Sequence, residues 1–198
     1  MMAPRRSAET TEELRASLIE HARRLVAREG PAKLTMRSLA AEAGCALGLP
    51  YKAFADRADL MVELVHASFG DLRQAGDELQ RRVGRGSVAG NLAWFAEWLL
   101  DSPGVALAQH VMSDEALFQS VVSHFHATGE GPTQLESLVS DYLAAEQRAG
   151  RVAPEVDTDA FGFVLAGAIH HLVVMGHGYP RPSKRRLAKI FAAICDRF

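Results

Sequence analysis

The chain holds eight histidines and two cysteines, alongside serine and aspartate. Three chemistries are therefore open: metal binding, thiol redox and nucleophilic catalysis. His124 and His126 are two apart, which on a helix turns them to different faces. His170 and His177 are seven apart and could share a face, but no acid or thiol stands near them in sequence. Structural or interface histidines are the expectation, with no metal and no cofactor. Cys45 and Cys195 fit no zinc spacing and are too few for a disulfide framework, so both read as small hydrophobes. The chain has no nucleophile elbow, no metal pair and no glycine-rich phosphate loop. An enzyme is not expected.

Charge and hydropathy set further limits. Residues 1–60 hold ten Lys/Arg against eight Asp/Glu, a balance of +2, and the remainder twelve against sixteen, a balance of −4. That asymmetry fits an anionic partner near the N-terminus, and equally a solvated surface. No signal-type apolar segment opens the chain, and no apolar run reaches the roughly 18 residues that span a bilayer. A cytoplasmic protein without a membrane partner is the expectation.

One stretch carries more information. Residues 44–54 read GCALGLPYKAF. A glycine turn leads into what looks like a helix start, yet the run is apolar and Lys52 is its only charge. Pro50 stands where a helix interior would be. If Ala46 is the cap, Pro50 lacks the amide for the Ala46 carbonyl and its ring crowds that carbonyl. If Leu49 is the cap, Pro50 takes the first helical position, where proline is tolerated. The residues predict an irregular or 3₁₀-like start, with regular helix only near Pro50 to Phe54.

The elements around this stretch are all helical, because apolar residues recur at helical spacing and sustained alternation is absent. Thr10 and Glu13 form a capping-box pattern for a helix ending at Gly30-Pro31. Thr35 caps a short helix that Gly44 closes, and Asp56 caps a long one. VAGNLAWFAEWLLD at 88–101 and FGFVLAGAIHHLVVMG at 161–176 are apolar nearly all round. Helices over about 105–112, 114–127 and 133–149, with a final amphipathic one after GHGYPRP, bring the count to about nine. Asp157 or Thr158 caps the apolar helix near the C-terminus. The fold class is all-α: an N-terminal three-helix unit with a helix-turn-helix, then a C-terminal helical domain. Its parts are a flexible arm at 1–10, the helix-turn-helix domain at 11–56 and the second domain at 57–198.

A short helix, a glycine turn and a second short helix can lay the second helix in a DNA major groove. From Leu18 to Leu60 the pattern resembles the DNA-binding domain of the tetracycline-repressor (TetR) family of transcriptional regulators. The matching residues are Leu18-Ile19, Ala22, Leu25-Val26 and Gly30, then Leu34 to Ala40, Ala43-Gly44-Cys45, Gly48, Tyr51, Phe54 and Leu60. A fainter echo lies at 144–172. The resemblance implies that Thr35 caps the second helix and bonds a phosphate. Arg37 then lies near the DNA backbone, Tyr51 sets its hydroxyl on a phosphate, and Arg57 grips another. Arg5 and Arg6 could add contacts from the arm. Leu47, Gly48 and Leu49 stand where the family carries more polar residues, so no bidentate arginine reads guanine. Thymine methyl contacts, Lys52 and DNA shape remain.

The same resemblance implies a cytoplasmic repressor that binds a palindromic operator as a homodimer and releases it when a small effector enters. A different tilt of the helix after Asp56 would change the spacing of two recognition helices, about 34 Å for successive grooves. An apolar or aromatic effector fits Trp94, Trp98, Gln109, His110, Phe118, Phe125, Tyr142 and His171. The last two helices, with Ala166, Gly167, Ala168 and then Leu187, Ile190, Phe191 and Ile194, are the expected dimer surface. The alternative is a dimeric helical ligand binder with little sequence-specific DNA binding.

Overall fold

The computed structural model describes residues 5–129, 131, 133–175 and 180–195, with side chains from Thr11 onward. The side chains of Arg5 and Arg6, His177 and the last three residues lie outside the described residues, as do Glu130 and Pro132 of the loop expected at 128–132.

Among the described residues there are ten α-helices, one more than expected, and one 3₁₀ turn. They are α1 (Arg5–Glu29), the 3₁₀ turn (Pro31–Lys33), α2 (Met36–Glu42), α3 (Gly48–Ala53) and α4 (Arg57–Arg81). α5 (Val88–Asp101), α6 (Pro103–Met112), α7 (Glu115–Thr128), α8 (Thr133–Arg148), α9 (Thr158–Met175) and α10 (Lys184–Cys195) follow. α1 begins five residues before Thr10, so the expected arm is helical from Arg5 and the T-x-x-E pattern lies inside the helix. Nothing in RRSAETTEEL breaks a helix, and a capping pattern permits a start without enforcing one.

The chain divides into two compact units: Met1–Ser68 with Ala106–Ala127, and Phe69–Val105 with Thr128–Phe198. Residue 56, the expected boundary, lies inside the first of these units. The start of α4 stays with α1–α3, and most of α6 and all but the end of α7 join them.

In the first unit Leu18, Ala22, Leu25 and Val26 of α1 are buried with Leu34, Met36, Leu39, Phe54, Leu60 and Leu64. Gly30, at φ 84°, ends α1 in a conformation that side-chain-bearing residues avoid, and Pro31 opens the 3₁₀ turn. Asp56 caps α4 as expected, its Oδ1 accepting from the Asp59 amide at 2.9 Å. Asp59 returns the bond, accepting from the Ala55 amide at 3.0 Å.

The second unit is built on α5, with α10 packed on it and α8 paired with α9. Leu92, Phe95 and Ala96 of α5 are buried with Val139, Tyr142 and Leu143 of α8 and Leu165 of α9. Gly162 lets α9 lie against α8, because a Cβ there would meet Ser140, including its backbone nitrogen at 3.0 Å. Asp157 caps α9, its Oδ1 accepting from the Asp159 and Ala160 amides.

A buried polar chain closes this unit. Tyr142 Oη donates to Glu146 Oε1 at 2.6 Å and accepts from Asn91 Nδ2 at 2.9 Å. Asn91 also donates to the Arg85 carbonyl at 2.8 Å, and Gly84 N donates to Glu146 Oε2 at 3.1 Å. Arg151 donates to the Gly86 carbonyl at 2.6 Å, and its Nη1 stands 3.4 Å from Glu146 Oε2, an ion pair without hydrogen-bond alignment. The turn between α4 and α5 is thus fastened to α8 by polar side chains. Burial and the bond to Glu146 push the Tyr142 hydroxyl well above its ordinary value.

Two expectations for the last helices change. α10 does not present all its apolar residues on one outer side: Leu187 and Phe191 are buried in the core, with Ile194 packed beside them, and Ile190 is exposed. α9 is long and apolar enough to cross a membrane by length and composition, although two histidines interrupt its apolar run. Its exposed residues include Phe163 at 65% and Val164 at 57%, with Val174 and Met175 further along.

Candidate nucleic-acid interface

The helix-turn-helix is built from short-range signals. Thr35 caps α2, its Oγ1 accepting from the Ser38 amide at 3.0 Å, while the Thr35 amide donates to Ser38 Oγ at 2.8 Å. This is a reciprocal box with serine in the place of the usual Glu or Gln. Gly44, at φ 63°, makes the turn.

α3 spans only six residues, Gly48–Ala53. Its cap is Leu47, which supplies no side-chain bond, so neither Ala46 nor Leu49 holds that position. The Ala46 carbonyl accepts from the Leu49 amide at 2.9 Å, a bond of 3₁₀ span. Pro50, which has no amide for that carbonyl, therefore leaves nothing unpaired there. The irregular start predicted from Pro50 is present, and the regular helix begins two residues earlier than expected.

Pro50, Ala53 and Phe54 face inward, and the other side faces out. Leu47 is 42% exposed and Tyr51 56%, with Gly48 and Lys52 exposed and Leu49 half-buried. The structure thus brings Leu47, Gly48, Tyr51 and Lys52 to one short exposed segment, and Thr35 and Arg37 are also exposed. A Cβ on Gly48 would meet nothing within 4 Å, and its φ is not positive. Gly48→Ala is therefore expected to raise stability by up to ~1 kcal/mol. A urea midpoint that moves downward would contradict this.

Two arginines behave in ways that sequence did not indicate. Arg15 of α1 donates to the Ala53 carbonyl at 2.7 Å and to Glu63 at 2.6 Å, and it lies 5.0 Å over the Phe54 ring. It anchors the far end of α3, and no local motif marks it. Arg57 does not stand free to grip a phosphate with these donors: Nε donates to the Leu34 carbonyl at 2.7 Å and Nη2 to the Pro31 carbonyl at 3.3 Å. Nη2 also lies 2.9 Å from His110 Nε2. On the outer surface, Arg28 bonds Glu42 at 2.7 Å, joining α1 to α2 and holding the Glu42 carboxyl below its usual range.

The eight residues expected around an effector are divided. Gln109, His110, Phe118 and Phe125 belong to the first unit, and Trp94, Trp98, Tyr142 and His171 to the second. Tyr142 is a core residue with its hydroxyl engaged, Phe118 and His171 are exposed, and His110 is turned to Arg57. Trp94 carries the Arg82 guanidinium 3.8 Å above its ring, and Trp98 stacks on Phe95. Among the described residues no three His, Cys, Asp or Glu gather as a metal site would require.

Residues 18–64 match the family model for bacterial regulatory proteins of the tetR family. The fold is similar to that of a Mesorhizobium loti MAFF303099 protein described as a TetR-family transcriptional regulator, at 18% identity and a TM-score of 0.66, covering 94% of this chain and 95% of that one. A TetR-family transcriptional regulator of Pectobacterium atrosepticum gives 19% and 0.65, covering 94% and 92%. The fatty acid degradation regulator of Bacillus halodurans gives 16% and 0.59, covering 91% and 93%. No curated protein matches the chain.

Proposed function

We propose that the protein is a DNA-binding transcriptional regulator of the tetracycline-repressor family, a reading supported by the family-model match at residues 18–64 and by the similarity of the fold to solved regulators. It acts as a homodimeric repressor on a palindromic operator and is released by a small apolar or aromatic effector. The observation that carries the reading is the exposed face of α3, where Leu47, Tyr51 and Lys52 stand out from a buried scaffold. Tyr51, Thr35 and Arg37 supply phosphate contacts, which position the helix without reading sequence. Leu47 and Leu49 touch thymine methyls, and Lys52 is the side-chain donor to a base edge.

Dimerisation uses the exposed apolar residues of α9, Phe163, Val164, Val174 and Met175, which a second copy would cover. For the effector, the half-buried Trp94 and Trp98 are the proposed contacts. The similarity to a regulator named for fatty acid degradation agrees with an apolar effector.

A shift assay on the gene's own upstream region tests the reading. Specific binding whose affinity falls steeply with salt is expected. Weak binding indifferent to sequence would leave the alternative, a ligand binder on the same fold. Lys52→Ala is expected to lower operator affinity about tenfold, a loss of ~1.4 kcal/mol, while binding to random duplex falls less. Equal losses on both DNAs would make Lys52 a phosphate contact instead.

A further inference from the structure

Arg57 joins three pieces of the first unit at one guanidinium. Leu34 immediately precedes the Thr35 cap of α2, and Pro31 opens the turn before it, so the two carbonyls held by Arg57 belong to the strap that leads into the helix-turn-helix. The third contact reaches α6, at His110 Nε2, 2.9 Å away. An arginine has donors only, so His110 Nε2 accepts and its ring is the neutral Nδ1–H tautomer. A second proton on the ring would set donor against donor, with two cations at hydrogen-bond distance.

We propose that Arg57 is a positioning residue for DNA recognition, and that protonation of His110 opens its clasp on the Pro31–Leu34 strap and weakens operator binding. The proposal rests on the DNA-binding reading. It places a proton-sensitive contact beneath the helix-turn-helix, at a residue expected from resemblance to touch DNA itself. The charged groups facing His110 are Arg57 from α4 and Asp114 from the turn before α7. Desolvation, and then the Arg57 cation, hold the imidazole below its ordinary value of 6.5, while Asp114 opposes them. With a depressed folded-state value, the contribution of the neutral ring is full above pH 6.5 and is lost as pH falls below it. His66 and His124 form a second imidazole contact between α4 and α7, with Nδ1 and Nε2 3.2 Å apart, and need a separate control.

The test compares wild type, His110→Gln and His124→Gln. Glutamine at 110 offers an acceptor that does not titrate. Hydrogen-exchange protection of the Leu34 and Ser38 amides is measured without DNA from pH 7.5 to 5.5, corrected for intrinsic exchange. Wild type and His124→Gln should lose protection across that range, by up to about tenfold, and His110→Gln should stay flat. Affinity for a duplex of the upstream region should fall at least fivefold more in wild type than in His110→Gln. Coincident protection profiles for wild type and His110→Gln overturn the clasp. Absence of DNA binding at every pH overturns the regulator reading and the DNA half of the proposal, while the protection profiles still decide the clasp. Should His110→Gln fail to fold, ¹⁵N spectra of the wild type decide: an Nε2–H on His110 at pH 7.5 overturns the acceptor role, and an Nδ1–H supports it.

Discussion

Glu146→Ala is expected to destabilise the protein by ~3–5 kcal/mol, the range for removing one member of a buried charged network. The side chain is 0% exposed and serves three groups, the Tyr142 hydroxyl, the Gly84 amide and the Arg151 guanidinium. Alanine removes an acceptor shared by three donors: the buried Tyr142 hydroxyl loses its carboxylate, and the Gly84 amide and the partly exposed Arg151 guanidinium lose theirs, so the loss exceeds that of one hydrogen bond. Glu146→Gln is expected to cost less, because one oxygen remains for one of the donors. Urea unfolding measures both, and a loss under 1 kcal/mol for alanine would mean that the turn between α4 and α5 stands without its polar fastening. The Tyr142 hydroxyl gives the same network a pH signature. Its folded-state value is raised above the ordinary 10.0, so its contribution is full below pH 10 and is lost as pH rises beyond it. In Glu146→Ala that alkaline loss should shrink.

Phe163→Asp is expected to convert the proposed dimer to monomers. Phe163 is 65% exposed and Val164 57%, next to Gly167, beside which a Cβ would meet nothing within 4 Å. If two copies bury this strip, each aspartate becomes a buried charge without a partner, at ~3 kcal/mol or more. Both copies carry it, so the dimer dissociation constant should rise more than 100-fold. Operator affinity should fall with it, since two half-sites are read only by two linked recognition helices. The fold should persist, because the side chain is largely outside the core. Sedimentation equilibrium and the shift assay decide: a dimer with unchanged operator affinity would place the subunit contact elsewhere.

Local signals explain which parts of the structure were legible in the sequence. Gly30-Pro31, the Thr35 cap, the Gly44 turn, the Asp56 and Asp157 caps and the disturbed start of α3 all depend on residues within four positions of each other. Glycine conformation, capping and the missing proline amide act at that range. The fate of Arg57 did not: its partner His110 is 53 residues away, and nothing near either residue marks the other. The hydrogen bonds of Tyr142 are hidden from the sequence for a related reason. An aromatic residue with a polar tip suits a ligand cavity and a buried network equally well, and Asn91 and Glu146 settle the matter only in three dimensions. Aromatic content rises after residue 90 and groups the expected effector residues by composition, which does not record which unit a helix joins.

The six residues of α3 divide their duties by side. Pro50 and Ala53 are buried, and Arg15 holds the Ala53 carbonyl, so the fold depends on these positions. Leu47 supplies no capping bond, Gly48 has open space around it, and Lys52 is exposed, so the fold takes little from them. On the proposed DNA-binding reading, substitutions at these positions can revise the recognised sequence almost one side chain at a time. Each such change acts on DNA recognition more than on folding. A duplicated copy of such a gene could acquire a new set of targets before it lost its structure.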